Sequence, residues 1–283
     1  MIEFVCFNGS ILQEKEVKIS PLNRGIMYGD GCFETFKGYS GRFLHIEKNF
    51  KRLCEAALYL KIDIKLTLHQ FYNHVIELIE ANQHTEKQVI IRFQCWRKGK
   101  RGYKTENSGC NWVITSQEIL NHKSKPVQLI IAETPAIPTN TLNRRVKLSN
   151  GINYIIAAQE AIKKNAEDAL MLTVNGYISE TTNSNIFWGK GDSMYTPSLD
   201  CDLLPGFTRN LIINMLKNNR YTLKFGQYTV DDIMNADFAF TTNSISEIRS
   251  VESIDDTIFS SKHNVIATIY SLFEVEKNRM LKK

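Results

Sequence analysis

The dipeptide Asn175-Gly176 constrains the fold of this chain more than any other feature. It stands between two strand-like runs, residues 170–174 (LMLTV) and 177–180 (YISE). An Asn-Gly pair in that setting is a strong hairpin signal. A hairpin returns the chain antiparallel at once, so the middle of the molecule is not a regular alternation of strand, crossover helix and parallel strand. Asn8-Gly9 gives a second turn, with residues 3–7 and 16–19 read as its two strands. Gly189-Lys190-Gly191 gives a third, between strands at 185–188 and 194–196.

Other segments carry the helical period. Residues 46–60 place Ile46, Phe50, Leu53, Ala57 and Leu60 on one stripe, the spacing of an amphipathic helix. Further helices are expected at 66–81, at 152–164 with Lys163, Lys164 and Asn165 near its C-terminal end, at 208–217 after Pro205-Gly206, and at 263–277. Strands are expected at 33–37, 88–96, 112–116, 127–132 and 238–242, with turns over 21–31 and a polar loop over 103–110. Both halves mix helix and strand without an internal repeat, which predicts an α+β protein of two domains. The polar, lysine-containing stretch 117–126 reads as a linker between an N-terminal domain, 1–116, and a C-terminal domain, 127–283.

Composition narrows the function. Hydrophobic residues at 43% and charged residues at 23% are the balance of a globular protein with a sizeable core. The net charge of +5 comes with only two short basic clusters, 97–101 and 279–283. That argues against a nucleic-acid partner, which favours a denser basic stripe, though the excess helps to attract anionic small molecules. The six cysteines, Cys6, Cys32, Cys54, Cys95, Cys110 and Cys201, are scattered without a CxxC pair. Neither a disulfide framework nor a zinc site is expected. The N-terminal MIEFVCFNGSIL lacks the basic region of a signal peptide, and no run of 18 apolar residues predicts a membrane span. The expected location is cytoplasmic.

Four stretches carry a resemblance. NRGIMYGDGCFETFK (23–37), KLSNGINYIIAAQEA (147–161), NGYISETTNSNIFW (175–188) and LLPGFTR (203–209) together resemble, in order and spacing, the class IV aminotransferases, the fold-type IV pyridoxal-phosphate enzymes. The resemblance implies a smaller N-terminal α/β domain, a larger C-terminal mixed α/β domain that binds pyridoxal 5'-phosphate, and a homodimer. It implies amino transfer between an amino acid of branched-chain type and a 2-keto acid. The alternative within the same family is 4-amino-4-deoxychorismate lyase, which releases pyruvate and 4-aminobenzoate; a non-catalytic binding protein on the same fold is a third reading.

Site residues follow from these matches. A lysine is ordinarily a solvated surface charge, and a Schiff-base lysine needs partial burial with a cation or cofactor nearby. Lys147 precedes an apolar helix, and the resemblance makes it the lysine that bonds the cofactor and later moves the Cα proton. A glutamate ending a strand ordinarily faces solvent; the resemblance makes Glu180 the carboxylate beside the pyridine nitrogen, which keeps that nitrogen protonated. Leu204 to Thr208 open a helix, where free N–H groups and the helix dipole suit an anion. The resemblance assigns the Phe207 and Thr208 amides and the Thr208 hydroxyl to the phosphate, together with Arg52 and Ser244. Asn49 stands where many relatives have histidine. The resemblance also makes Asn150, in the spacing Lys147-x-x-Asn150, a candidate for the ring hydroxyl, with Tyr154 beside it. Tyr28, Arg97, Arg101 and Tyr103 are candidates for the substrate, the last three on what is equally an exposed hairpin tip. Gly29-Asp30-Gly31 matches neither a dinucleotide nor a P-loop pattern and reads as a structural turn.

Overall fold

Both residues of the Asn8-Gly9 turn take positive φ, 51° and 92°, as a two-residue hairpin loop requires. The chain therefore doubles back immediately, and β1 (Phe4–Phe7) pairs with β2 (Ser10–Gln13), Phe7 opposite Ser10. The sequence places the second strand at 16–19. It forms earlier because this turn has no spare loop residues, and Glu14–Glu16 makes a single 3-10 turn instead. The structure is a computed structural model that describes residues 3–105, 109–120 and 125–282. It comprises two units, one of Met1–His122 with Val146–Asn150, the other of Lys123–Arg145 with Gly151–Lys283.

The first unit continues with α1 (Arg24–Tyr28), β3 (Gly31–Tyr39), β4 (Arg42–Phe43), α2 (Ile46–Tyr59), α3 (Leu68–Ala81), β5 (Gln88–Arg97) and β6 (Cys110–Glu118). Its strands form one sheet in the order β2-β1-β6-β5-β3-β4. The two amphipathic helices lie on one face of that sheet. Phe71 of α3 meets Phe36 of β3 and Phe93 of β5 edge-on, at centroid separations of 6.1 and 5.6 Å. Phe71, Phe93 and Leu53 are fully buried, and each such side chain contributes roughly 1.5–3 kcal/mol. Side chains alternate along a strand, so Cys32, Glu34 and Phe36 face the helices while Phe33 and Thr35 face away. At the β4 end, β3 is covered only at Gly38 and Tyr39. Its other end takes the returning segment: the Phe33 N–H donates to the Lys147 carbonyl (3.1 Å) and the Ser149 N–H to the Gly31 carbonyl (2.9 Å).

Two expectations about domain limits change here. The polar stretch 117–126 overlaps the end of β6, and its residues 121–124 lie outside the described residues, as do 106–108 of the expected polar loop. The short segment carrying Lys147 belongs to the first unit, through its pairing with β3.

The second unit contains β7 (Val127–Ile131), α4 (Ile152–Lys163), β8 (Asp168–Leu172), β9 (Ile178–Thr181), β10 (Asn185–Lys190), β11 (Ser193–Pro197), α5 (Phe207–Asn218), β12 (Thr222–Gly226), α6 (Val230–Met234), β13 (Phe238–Asn243), β14 (Glu247–Ile254), β15 (Thr257–Ile258) and α7 (Asn264–Leu281). Its sheet runs β12-β11-β10-β13-β14-β7-β8-β9, with β15 beside β14. The expected hairpin joins β8 to β9, Leu172 opposite Ile178. Here only Gly176 has positive φ, 82°, so the loop takes five residues, closed by the Thr173 N–H donating to the Tyr177 carbonyl at 2.7 Å. All four residues of β9 are buried, which carries Glu180 into the interior. Phe187, Phe240, Ile212, Leu216, Ile269 and Phe273 form the core beneath α5 and α7. Among the described residues, no helix is long and apolar enough to cross a membrane.

Candidate active site

Glu180 is 6% exposed, and a buried carboxylate needs partners for its charge. Its Oε1 accepts from the Tyr154 hydroxyl at 2.9 Å, and its Oε2 accepts from Asn185 Nδ2 and from the Leu204 N–H, each at 3.1 Å. These donors are neutral. The cation of the group, Arg144, stands further off, with Nη2 3.9 Å from Oε1 and its guanidinium 4.8 Å from the centre of the Tyr154 ring. Tyr154, considered for the cofactor's ring hydroxyl, is thus placed on Glu180.

Burial lowers the pKa of Arg144, opposed by Glu180 and Asp202. Burial likewise pushes Arg209 down to about 10, opposed by Glu180 and Cys201. At about 10, Arg209 remains a cation at neutral pH. The Nε of each is buried without a hydrogen-bond partner, and Arg209 donates through Nη2 to the Pro197 carbonyl at 2.9 Å.

The loop into α5 is built onto the same asparagine. Asn185 Nδ2 also donates to the Leu204 carbonyl at 2.9 Å. A Cβ on Gly206 would lie 2.3 Å from Asn185 Oδ1, so this approach requires glycine. Gly206 caps α5 without a side-chain oxygen, and the positive dipole end of the helix, at Phe207 and Thr208, is a place that favours an anion. Thr208 is buried. On the neighbouring strand Thr242 pairs opposite Asn185, and its buried hydroxyl has no hydrogen-bond partner.

Ser244 lies in the turn that follows. Asn243 Oδ1 accepts from the Ile245 and Ser246 N–H groups at 2.9 and 2.7 Å, while Asn243 Nδ2 donates to Asn183 Oδ1 and Ser184 Oγ at 3.1 and 2.9 Å. The second unit therefore brings Glu180, Phe207, Thr208 and Ser244 onto one framework organised by residues 183–185. An anionic carboxylate, a helix N-terminus and unsatisfied buried hydroxyl and guanidinium donors fit a group with a cationic ring nitrogen and a phosphate. Among the described residues no cluster of His, Cys, Asp and Glu could hold a metal ion.

In the first unit, Lys147 is half-buried, with Nζ 5.2 Å from the centre of the Phe33 ring. The Arg92 guanidinium lies 4.0 Å from the same ring centre, and its Nη1 donates to Thr35 Oγ1 at 3.3 Å. Arg52 is on the opposite, helix-covered face. It grips Glu34 with Nε at 2.6 Å and Nη2 at 3.0 Å, and Asn49 adds a bond at 3.0 Å. Asn150 is exposed, with its Cβ against Gly29, which places it on the Gly29-Asp30-Gly31 turn.

The substrate candidates separate. Arg97 donates to both Asp30 oxygens, at 2.9 and 3.2 Å, and to the Leu60 and Lys61 carbonyls that end α2. Its guanidinium thus grips the protein's own carboxylate and not one from outside. Burial raises the pKa of Asp30, but the bonds from Arg97 and Arg24 overcome this and hold it below the ordinary carboxylate value. Tyr28 and Tyr103 do come together, ring centres 5.5 Å apart, and the Tyr28 hydroxyl accepts from the Gly102 N–H at 2.9 Å. Arg101 is exposed beside them.

Sequence reasoning gives no role to Arg144, Arg92, Asn185 or Thr242. Asn185 lies inside the quoted stretch 175–188, so its place five residues after Glu180 is the available signal.

The model for amino-transferase class IV matches residues 31–254 of this chain. An aminodeoxychorismate lyase of Bacillus subtilis (strain 168) is 28% identical over 278 residues, 97% of this chain and 94% of that protein. A putative branched-chain-amino-acid aminotransferase of Methanocaldococcus jannaschii is also 28% identical, over 91% of this chain and 90% of its own length. The solved branched-chain amino acid aminotransferase of Thermobaculum terrenum, in its PLP form, has the same fold, with a TM-score of 0.90 at 19% identity, covering 98% of this chain and 95% of that one. The span 31–254 takes in Lys147, Glu180, the start of α5 and the Ser244 turn, and leaves out Tyr28 and α7.

Proposed function

The chain belongs to the amino-transferase class IV family, and from that premise we propose that it is a pyridoxal 5'-phosphate enzyme transferring an amino group between a small amino acid, of branched-chain type, and a 2-keto acid. The observation that carries the reading is Glu180, a buried carboxylate bonded to three neutral donors with its arginine 3.9 Å away. This group is read as the partner of a cationic ring nitrogen. Bound pyridoxal phosphate supplies the electron sink that lets an amino acid lose its Cα proton. Glu180 holds the ring nitrogen protonated. Lys147 attaches the cofactor and then carries the proton from Cα. The Phe207 and Thr208 amides, the Thr208 and Ser244 hydroxyls and Arg52 hold the phosphate. Arg92 of β5, beside the same Phe33 ring as Lys147, and Tyr28 and Arg101 with Tyr103 are the proposed partners of the substrate's carboxylate.

A second reading, release of pyruvate and 4-aminobenzoate from aminodeoxychorismate, is supported by likeness to the Bacillus subtilis lyase over 97% of the chain. Both reactions begin with the same proton transfer by Lys147. In either case the enzyme works in the cytoplasm as a homodimer, a state supported by the exposed isoleucines 152, 155, 156 and 162 of α4.

A paired assay decides between the two. Transfer from leucine, isoleucine or valine to 2-oxoglutarate is expected, and pyruvate with 4-aminobenzoate formed without any keto acid would overturn it. Lys147→Ala should bind the cofactor without forming the borohydride-reducible yellow adduct. A yellow, reducible Lys147→Ala protein would remove Lys147 from its role.

A further inference from the structure

Glu247 opens β14 with a left-handed backbone, φ 62°. A side chain other than glycine, asparagine or aspartate seldom sits there, and the conformation is held only where its surroundings impose it. The hairpin itself contributes, since Glu247 pairs with Asn243 across a three-residue loop, and α7 adds the side-chain contacts. Lys277, 9% exposed, donates through Nζ to Glu247 Oε2 at 2.9 Å and also bonds Glu274. Burial lowers the pKa of this ammonium, and the two carboxylates more than restore it, so it stays charged. Two helical turns earlier on the same face, the Tyr270 hydroxyl donates to the Ile248 carbonyl at 2.8 Å. The C-terminal helix thus fixes residues 247 and 248, while Asn243 ties the other end of the turn to Asn183 and Ser184. Between the two ties lies Ser244.

We propose that Lys277 and Tyr270 of α7 are positioning residues for the phosphate end of the cofactor site: by holding Glu247 and Ile248 they set the turn that presents the Ser244 hydroxyl. The assignment rests on the reading of Ser244 as a phosphate contact. Both residues lie outside the span matched by the family. Their effect would pass through the backbone of residues 244–248 that they hold, and not through a bond of their own to the phosphate.

The test compares pyridoxal phosphate with pyridoxal, which lacks the phosphate. Purified protein is stripped of cofactor and titrated with each, following the absorbance of the bound form. Lys277→Met should weaken pyridoxal phosphate about tenfold, the size of one charge-assisted hydrogen bond lost through its positioning effect, and leave pyridoxal unchanged. Lys277→Arg should restore most of the affinity. Tyr270→Phe, which deletes one hydroxyl and keeps the ring, should weaken pyridoxal phosphate about threefold and serves if Lys277→Met does not fold. Ser244→Ala is measured alongside. If Ser244→Ala weakens pyridoxal phosphate and the α7 variants do not, the positioning role is refuted while the Ser244 reading stands. Equal losses for both ligands refute it as well, since they mark a general disturbance. If Ser244→Ala leaves the affinity unchanged, the Ser244 reading falls and the inference with it.

Discussion

Glu34 and Glu180 are both carboxylates on buried strand positions, one in each unit, and the groups around them differ. Glu34 is clasped by Arg52 through two contacts at 2.6 and 3.0 Å with Asn49 beside it. Its charge is neutralised by direct contact with a cation fixed in the same core. Glu180 receives a phenol, an amide and a backbone N–H, with Arg144 at 3.9 Å. Three neutral donors therefore bond Glu180 directly, and its arginine pairs with it at longer range than Arg52 does with Glu34. Both carboxylates are almost wholly removed from water, and they differ in how closely a guanidinium approaches, 2.6 Å at Glu34 and 3.9 Å at Glu180; the role proposed for Glu180 at a cationic ring nitrogen would use the looser pairing. The difference also gives Arg52 two duties, a helix-to-sheet clamp in the structure and a phosphate ligand in the proposal.

The comparison can be broken from either side, and the largest effect is expected at Glu34. Glu34→Ala leaves Arg52 buried without its counter-charge, and removing one partner of such a pair costs about 3–5 kcal/mol. Denaturant unfolding should show this loss, and stability within about 1 kcal/mol of the parent protein would mean that Glu34 is no structural clamp. Next comes Gly206→Ala. The added Cβ must displace Asn185, 2.3 Å away at Oδ1, at a cost of about 1–3 kcal/mol. Because Asn185 bonds Glu180, cofactor titration should weaken by about tenfold or more, and unchanged affinity would separate the α5 loop from the carboxylate. The smallest effect concerns Asp30, another paired carboxylate of the first unit. Its pKa is lower folded than unfolded, so its stabilising effect is full above the ordinary value of 3.8 and fades as pH falls through the folded value. Melting temperatures of parent and Asp30→Asn should differ at pH 7 and converge as the pH drops below that point. A constant difference would show that the pairing with Arg24 and Arg97 does not act through charge.

Much of this is legible in the chain itself. Amphipathic α2 and α3 and the strands β1, β3, β5 and β6 of the first sheet can be read from period, whereas β2 and β4 cannot. The two Asn-Gly turns can be found but not told apart. Asn8 adopts positive φ and Asn175 does not, because strand pairing on either side decides which loop length fits. β14, EIRSVESI, is hidden in the sequence since its charged residues interrupt the apolar pattern, while Ile248, Val251 and Ile254 face the core. Arg97 reads as a ligand for substrate because its partner Asp30 is 67 residues away in sequence. Arg144 looks like one of two loop arginines, and only the packing against Tyr154 and Glu180 separates it from Arg145. Local signals are carried by spacing; partners distant in sequence are set by the fold.

The most direct test of the central claim is Glu180→Gln, which keeps the shape and a hydrogen-bonding side chain but removes the negative charge. Cofactor titration, thermal unfolding and steady-state turnover are measured on the same preparation. The expected result is a kcat lower by about 10²–10³, the range for loss of one preorganised electrostatic contact, with the fold retained and the cofactor still attached at Lys147. A kcat within about threefold of the parent enzyme would contradict the account, because the anion would then have no part in the chemistry.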